Sequence, residues 1–244
     1  MRHGSLFSGI GGFDLAAQWM GWENIFHVER DPFCRQVLAH HFPKSQPYED
    51  IKTFNATAYA GRVDIISGGF PCQPFSAAGK RAGTSDDRYL WPEMFRVIRE
   101  ARPTYVVAEN VRGLISWNDG LVLDTVCADL EGEGYEVLPV VLGAASVNAP
   151  HRRDRIWIVA YANGAGARQD NRQGEPRQPD QTRPSIDWKD FPTVPLICGG
   201  DDALPERLDG ITFSKWRRES IKAYGNAIVP QVAYQIFKAL QGER

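Results

Sequence analysis

Cysteine is scarce in this chain. Cys34, Cys72, Cys127 and Cys198 are the only four among 244 residues, and they stand far apart with no CxxC pair. Such spacing excludes a disulfide framework and a clustered zinc site, and free thiols suit a reducing compartment. No run of eighteen apolar residues occurs, so no membrane span is expected. Residues 1–7 lack a basic segment followed by a long apolar stretch, so no secretory leader is expected and the expected location is the cytoplasm. A surplus of basic charge is missing too: 28 Lys and Arg stand against 30 Asp and Glu, for a net charge of −2. Nucleic-acid binding usually leaves a basic footprint, so any such site here must be local. Arg152, Arg153 and Arg155 form one candidate; Lys215, Arg217, Arg218 and Lys222, opposed by Glu219, form another. On charge alone, a solvated face is the simpler reading of both.

What is present reads as an ordinary globular chain, with 43% hydrophobic and 24% charged residues. Residues 4–8 suit a short strand running into a glycine turn, Gly9-Ile10-Gly11-Gly12, and a helical pattern follows with Phe13, Leu15, Ala16, Trp19 and Met20. Residues 25–29 suit the next strand. Asp31-Pro32 then starts a helix, because Asp caps and Pro fits the first turn, with Phe33, Val37 and Leu38 expected on one face. The apolar run 63–67 suits a buried parallel strand. Helices are expected over 91–99 and 121–130, and strands over 104–108, 136–142 and 155–160. Alternating strands and helices predict an α/β domain with a mainly parallel sheet. From Asn163 to about Pro184 the chain is Gly, Arg, Gln, Asp and Pro with few apolar residues, the composition of a linker or loop. Residues 227–240 return to helical spacing.

Two segments have chemical uses. In the first, the glycines of the 9–12 turn let backbone approach a ligand, and the helix behind it offers free N–H groups. Glu29, at the end of the next predicted strand, is placed as acidic residues that bind ribose hydroxyls are in doubly wound folds, and Asp50-Ile51 follows the third strand region. A plain tight turn reads the same way, and the GxGxxG of dinucleotide folds is absent, which argues against a nicotinamide oxidoreductase. In the second, Gly69-Phe70-Pro71-Cys72-Gln73-Pro74-Phe75-Ser76 follows a predicted buried strand, so Cys72 lies past a strand's C-terminal end, where open α/β sheets bind ligands. A lone Cys is more often an inert small hydrophobe.

The 69–76 segment strongly resembles the catalytic loop of cytosine-5 DNA methyltransferases. Other motifs of that family follow in its order: Leu6-Phe7-Ser8-Gly9-Ile10-Gly11-Gly12 resembles its first cofactor motif, and Glu109-Asn110-Val111 its catalytic acid motif. His151-Arg152-Arg153-Asp154-Arg155 resembles its arginine motif and Tyr224-Gly225-Asn226-Ala227-Ile228-Val229-Pro230 its C-terminal motif. The resemblance covers roughly residues 4–160 and 205–240. It implies a Rossmann-like class I methyltransferase fold that uses S-adenosyl-L-methionine. It also implies three parts: a cofactor-binding and catalytic domain at 1–162, a short target-recognition segment with a flexible linker at 163–204, and a segment at 205–244 that returns to the catalytic domain.

By the same resemblance, Cys72 is the nucleophile that adds to cytosine carbon 6, and Glu109 donates a proton or hydrogen bond to ring nitrogen 3. Arg153 and Arg155 orient the cytosine carbonyl and the catalytic loop, sharing one face if a strand begins there, and Arg152 points elsewhere, to phosphate or to an ordinary basic turn. Phe7, Ser8, Gly9, Gly11, Gly12, Glu29, Asp50, Ile51, Pro71 and Asn226 are carried over as cofactor contacts, with Leu90 and Trp91 lining the same pocket. Gln73, Ser76, Lys80, Arg81 and Asn110 are expected at the substrate. The target base must leave the duplex, so base flipping is implied, and the basic stretch 76–87 is expected to close over DNA. No metal is expected.

The chain departs from the family between the arginine and C-terminal motifs. The interval is short, and Pro205-Glu206-Arg207-Leu208 is only a degenerate substitute for the usual arginine and glutamine segment. A monomer is expected, with a companion specificity subunit or a restriction partner compatible with it, in a bacterial, phage or mobile-element setting. Two other readings share the motifs: a cytosine-5 RNA methyltransferase, and a DNA-binding module that holds the cofactor without turnover.

Overall fold

The computed structural model describes residues 1–71, 89–162 and 215–242. Chain order gives β1 (Arg2–Leu6), α1 (Gly12–Trp19), β2 (Glu23–Val28), α2 (Pro32–His41), β3 (Gln46–Tyr48), β4 (Ile65–Gly68), α3 (Trp91–Ala101), β5 (Tyr105–Val111), α4 (Leu121–Gly132), β6 (Tyr135–Leu142), β7 (Arg155–Ala162), α5 (Lys215–Asn226) and α6 (Pro230–Gln241). The strands form one seven-stranded sheet in the order β3-β2-β1-β4-β5-β7-β6. Strands β3, β2, β1, β4 and β5 run parallel, and β7 is antiparallel to both β5 and β6. The order reverses between β1 and β4, and ligands in open α/β sheets bind at such a switch point. This is the mainly parallel α/β sheet expected from the alternating pattern, in the Rossmann-like form that the resemblance implies.

The central strands are buried on both faces, so consecutive residues feed opposite cores. Ile66, Val106, Ala108, Ile156 and Ile158 pack with Trp91, Met94 and Ile98 of α3 and with Val126 and Leu130 of α4. Their neighbours Ile65, Val107, Trp157 and Val159 pack with Phe13, Ala16 and Ala17 of α1 and with Val232, Ala233 and Phe237 of α6. Trp91 is buried, and its Nε1 donates to Asp129 Oδ2 at 2.8 Å, joining α3 to α4.

Several boundaries differ from the sequence expectation. Strand β1 ends at Leu6 rather than residue 8, because Phe7 turns into the left-handed region at φ 51 and starts the glycine turn early. In α2 the Asp31 cap is as expected, with its side chain accepting from Phe33 and Cys34 N–H groups, but the buried face is Cys34 and Leu38. Phe33 and Val37 instead line a shallow cavity of about 300 Å³ with Ile10, His40, His41 and Tyr224. Strand β5 runs three residues past Ala108, so Glu109 and Asn110 lie inside it. Strand β7 starts at Arg155 as expected and runs two residues longer, to Ala162, and Arg153 precedes it with φ 39.

Candidate active site

The glycine turn sits at the C-terminal end of β1. Gly9 and Gly11 take φ values of 55 and 87, which side chains disfavour. A Cβ on Gly11 would come 2.5 Å from Phe42, and one on Gly12 would come 2.6 Å from Ile228 Cγ1. Glycine at position 12 therefore lets the 227–229 stretch close onto the turn. Ser8 is buried and donates through N–H and Oγ to Val28 O, pinning the turn to β2.

Glu29, one residue past β2, lies against this turn. Its Oε2 accepts from Gly9 N at 2.7 Å and its Oε1 from Asp31 N at 2.7 Å. Phe7 is half-buried and packs against the α3-side core. Asp50 caps the next turn, accepting from Lys52 N at 3.0 Å. The Ile51 side chain is a core residue, which leaves its main chain as the part able to face a ligand. Arg96 donates to Ile51 O at 2.6 Å and to Phe54 O at 3.0 Å, fixing this loop to α3. The sequence reading missed Arg96; its i−3 and i+4 acidic partners Glu93 and Glu100 were the available signal. Leu90 is half-buried against the same core, and Trp91, expected in the pocket, is a core residue.

The second cluster forms where β4, β5 and β7 meet. Alternation along β5 sends Glu109 and Asn110 to opposite faces. Glu109 faces β7, where Arg155 Nε lies 2.9 Å from its Oε1. A Cβ on Gly69 would come 3.1 Å from Glu109 Oε2, so the carboxyl abuts the main chain just before Pro71. Burial pushes the Glu109 carboxyl up to about 7, against the opposing pull of Arg155 and Arg153. The carboxyl therefore carries a proton in a large fraction of molecules near neutral pH.

Asn110, expected at the substrate, is buried, and its Nδ2 donates to Phe70 O at 3.0 Å. Its Oδ1 accepts from Val111 N at 2.8 Å, so both ends of the amide are engaged. It anchors the chain two residues before Cys72. Arg153 and Arg155 do not share a strand face, because β7 has not begun at Arg153; its Nη2 donates instead to Gly225 O at 2.9 Å and to Ala227 O. Those two residues bracket Asn226. Arg112, 70% exposed at its side chain, lies 3.9 Å from Asp154 beside this cluster.

Cys72, Gln73, Ser76, Lys80 and Arg81, and the whole 163–204 segment, lie outside the described residues. Of the other thiols, burial pushes Cys34 up to about 12 and also raises Cys127, so neither is poised as a thiolate. Among the described residues no group of three or more His, Cys, Asp or Glu could hold a metal, and no helix is long and apolar enough to cross a membrane.

The family model described as C-5 cytosine-specific DNA methylase matches residues 1–193. Type II methyltransferase M.PspPI of Psychrobacter sp. (strain TA137) is 38% identical over 157 residues, 63% of this chain and 38% of that protein. Type II methyltransferase M.HpaII of Haemophilus parainfluenzae is 36% identical over 230 residues, 92% of this chain and 62% of that protein. The chain thus spans less than two thirds of either relative. Among solved structures, the S. pombe Dnmt2 methyltransferase superposes with a TM-score of 0.56 at 22% identity, over 72% of this chain and 52% of that one, a likeness of fold.

Proposed function

This chain belongs to the C-5 cytosine-specific DNA methylase family, and from that premise we propose that it methylates carbon 5 of cytosine in DNA, with Cys72 as covalent nucleophile. The observation that carries this reading is the buried Glu109 carboxyl, held near a pKa of 7 beside Arg155 and against Gly69, three residues before Cys72.

The residues present fit S-adenosyl-L-methionine. The positive-φ turn 9–11 leaves backbone exposed to a ligand, α1 presents its N-terminus behind it, and Glu29 offers a carboxylate to ribose hydroxyls. Phe7, Ser8, Gly9, Gly11, Gly12, Glu29, Asp50, Ile51, Pro71, Leu90 and Asn226 are the residues proposed to hold it. When bound it supplies an electrophilic methyl group.

In the proposed reaction, protonated Glu109 donates to ring nitrogen 3, drawing electron density away from carbon 6. The Cys72 thiolate forms a bond to carbon 6, and the pair from the 5,6 double bond makes carbon 5 nucleophilic. Carbon 5 takes the methyl group, the donor's sulfur leaving with the bonding pair as a neutral thioether; carbon 5 then loses its proton to a base, the carbon 6–sulfur bond breaks to return the thiolate, and ring nitrogen 3 gives its proton back to Glu109. Arg155 holds the Glu109 carboxyl in place and adds positive charge beside the base. Asn110 fixes the Phe70 carbonyl, and through it the approach to Cys72.

The target cytosine is proposed to flip out of the duplex, because a stacked base cannot reach Cys72 and Glu109 together. Gln73, Ser76, Lys80 and Arg81 are proposed at the DNA; if the two cations contact phosphate, neutralising them flattens the salt dependence of binding. The proposed division is a catalytic domain at 1–162, a target segment at 163–204 and a returning segment at 205–244. A monomer working in the cytoplasm, alongside a restriction or specificity partner, is the proposed setting.

The test is transfer of labelled methyl groups from S-adenosyl-L-methionine to mixed-sequence duplex DNA by wild type and Cys72→Ser, with RNA as parallel acceptor. Transfer to DNA that is lost in Cys72→Ser supports the reading. Transfer to RNA alone, or transfer that survives Cys72→Ser, overturns it.

A further inference from the structure

The described C-terminal segment is tied to the site by contacts of different kinds. Lys222 pairs with Asp31 at the start of α2 at 2.7 Å, and Ile228 rests on Gly12 at a distance that leaves no room for a Cβ. The third tie is Arg153. One nitrogen, Nη2, donates to the carbonyls of Gly225 and Ala227, on either side of Asn226. Arg153 sits before β7 with φ 39, so strand alternation does not set its direction as it does for Arg155. Its guanidinium nevertheless stays within the electrostatic reach of Glu109 and Arg155. One side chain thus bonds the 225–227 turn while feeling the charge of Glu109, although Glu109 and Gly225 are more than a hundred residues apart in sequence.

We propose that Arg153 is a positioning residue on the methyl-donor side of the site: it clamps the 225–227 turn against the glycine turn and does not contact cytosine. This rests on the function proposed above and departs from the arginine-motif resemblance, which placed both arginines at the base. The physical basis is satisfaction. A half-buried guanidinium gains from bonding its N–H groups, and here two carbonyl acceptors at the end of α5 take those of Nη2. A helix C-terminus leaves carbonyls without partners, so a cation there serves both sides.

The experiment compares wild type, Arg153→Ala and Arg153→Gln by three readouts. These are equilibrium binding of S-adenosyl-L-methionine, hydrogen exchange at the Ala227 amide without cofactor, and KM for S-adenosyl-L-methionine separated from kcat. The Ala227 amide is bonded to Ala223 O and Tyr224 O, so it reports the turn directly. In Arg153→Ala, cofactor Kd and KM are expected to rise about tenfold or more with kcat changed by less than about threefold. Exchange at Ala227 is expected to quicken by about tenfold. Gln keeps an N–H donor but no charge, so Arg153→Gln is expected to recover most of both effects.

A folded Arg153→Ala with wild-type cofactor affinity and wild-type exchange, but collapsed kcat, would place Arg153 at the base and overturn the clamp. If Arg153→Ala does not fold, Arg153→Gln decides: about tenfold weaker cofactor binding in that folded variant also overturns it. If wild type binds cofactor but transfers no methyl to DNA, the proposed function fails, while the binding and exchange comparison still decides the clamp.

Discussion

Glu109 and Arg155 meet across the β5–β7 ladder, with Arg155 Nε 2.9 Å from Glu109 Oε1. Arg155 stands opposite Val111, two residues along from Glu109, so the pair is diagonal on one face of an antiparallel ladder. Arg155 favours the carboxylate, yet burial outweighs it and lifts the Glu109 pKa to about 7. The acid form is the one that can donate to cytosine. Its fraction falls as pH rises through that value, while the Cys72 thiolate fraction grows. We predict a bell-shaped kcat profile whose falling limb belongs to Glu109. Glu109→Gln should lower kcat by about 10²–10⁴-fold and lose the falling limb, because an amide donates without titrating. A falling limb unchanged in that variant would exclude Glu109 as its source.

Arg155→Leu removes a cation that holds the Glu109 pKa down. The falling limb should then move to higher pH even as kcat drops, which separates the electrostatic effect of Arg155 from simple loss of activity. Measuring kcat from pH 6 to pH 9 at saturating cofactor checks this; a limb that moves to lower pH contradicts it.

Gly69 gives a steric test of the same carboxyl. A Cβ there would stand 3.1 Å from Glu109 Oε2, a few tenths of an ångström too close. Gly69→Ala is expected to displace the carboxyl and cost about tenfold in kcat, with cofactor Kd unchanged. A fall in cofactor affinity instead would show that the backbone, not Glu109, absorbs the strain.

Much of this was legible from local chemistry. The order of strands and helices followed from apolar runs and from punctuation such as Asp31-Pro32 and Gly9 to Gly12. What was not legible depended on contacts between distant segments. The start of β7 at Arg155 was legible, but the direction of Arg153 was not: it lies before the strand, in the 143–154 connection, with φ 39, so alternation does not place it on one face with Arg155. There, a Cβ on Gly143 would be 2.6 Å from Arg152 O. Asn110 was carried over to the substrate with the Glu109-Asn110-Val111 motif. Only the pleat, which sends neighbours to opposite faces, shows it turned to Phe70 O.

Asn110 yields its own prediction. Asn110→Ala leaves the buried Phe70 carbonyl without its donor, at a cost of about 1–3 kcal/mol. Because the anchor lies two residues from Cys72, kcat should fall while equilibrium binding of S-adenosyl-L-methionine holds. Thermal unfolding and single-turnover methyl transfer measure the two effects. Lost stability with undiminished single-turnover rate would limit Asn110 to a structural role.

Gly12 and Ile228 test the closure of the C-terminal segment. Gly12→Ala drives a Cβ to within 2.6 Å of Ile228 Cγ1, so the 227–229 stretch must move or the turn must open. Overpacking of this kind costs about 1–3 kcal/mol, and cofactor affinity should fall with it. Ile228→Ala alone should weaken binding little, and added to Gly12→Ala it should restore much of the loss by vacating the space. A double-mutant cycle on cofactor Kd reads the coupling, and strict additivity would refute the contact as the cause.

The last prediction concerns Asp14, whose carboxyl the proposed chemistry does not use. It is fully buried in the first turn of α1, near the Ser5 hydroxyl, and its two oxygens find no partner within hydrogen-bond geometry among the described residues. Burial pushes it from 3.8 up to about 7, only partly offset by the Ser5 hydroxyl. In the unfolded chain the carboxyl loses its proton near its ordinary value, so between about pH 4 and pH 7 the folded state holds more protons. Stability therefore falls across that window and levels off above it, with Asp14 accounting for roughly 4 kcal/mol at the plateau. Asp14→Asn keeps the shape and removes the titration. The variant should gain on wild type steadily as pH rises from about 4 to 7, and hold a constant advantage at pH 8. Denaturant unfolding of both proteins across that range measures the difference, and a gap that stays flat with pH would mean that Asp14 does not titrate there.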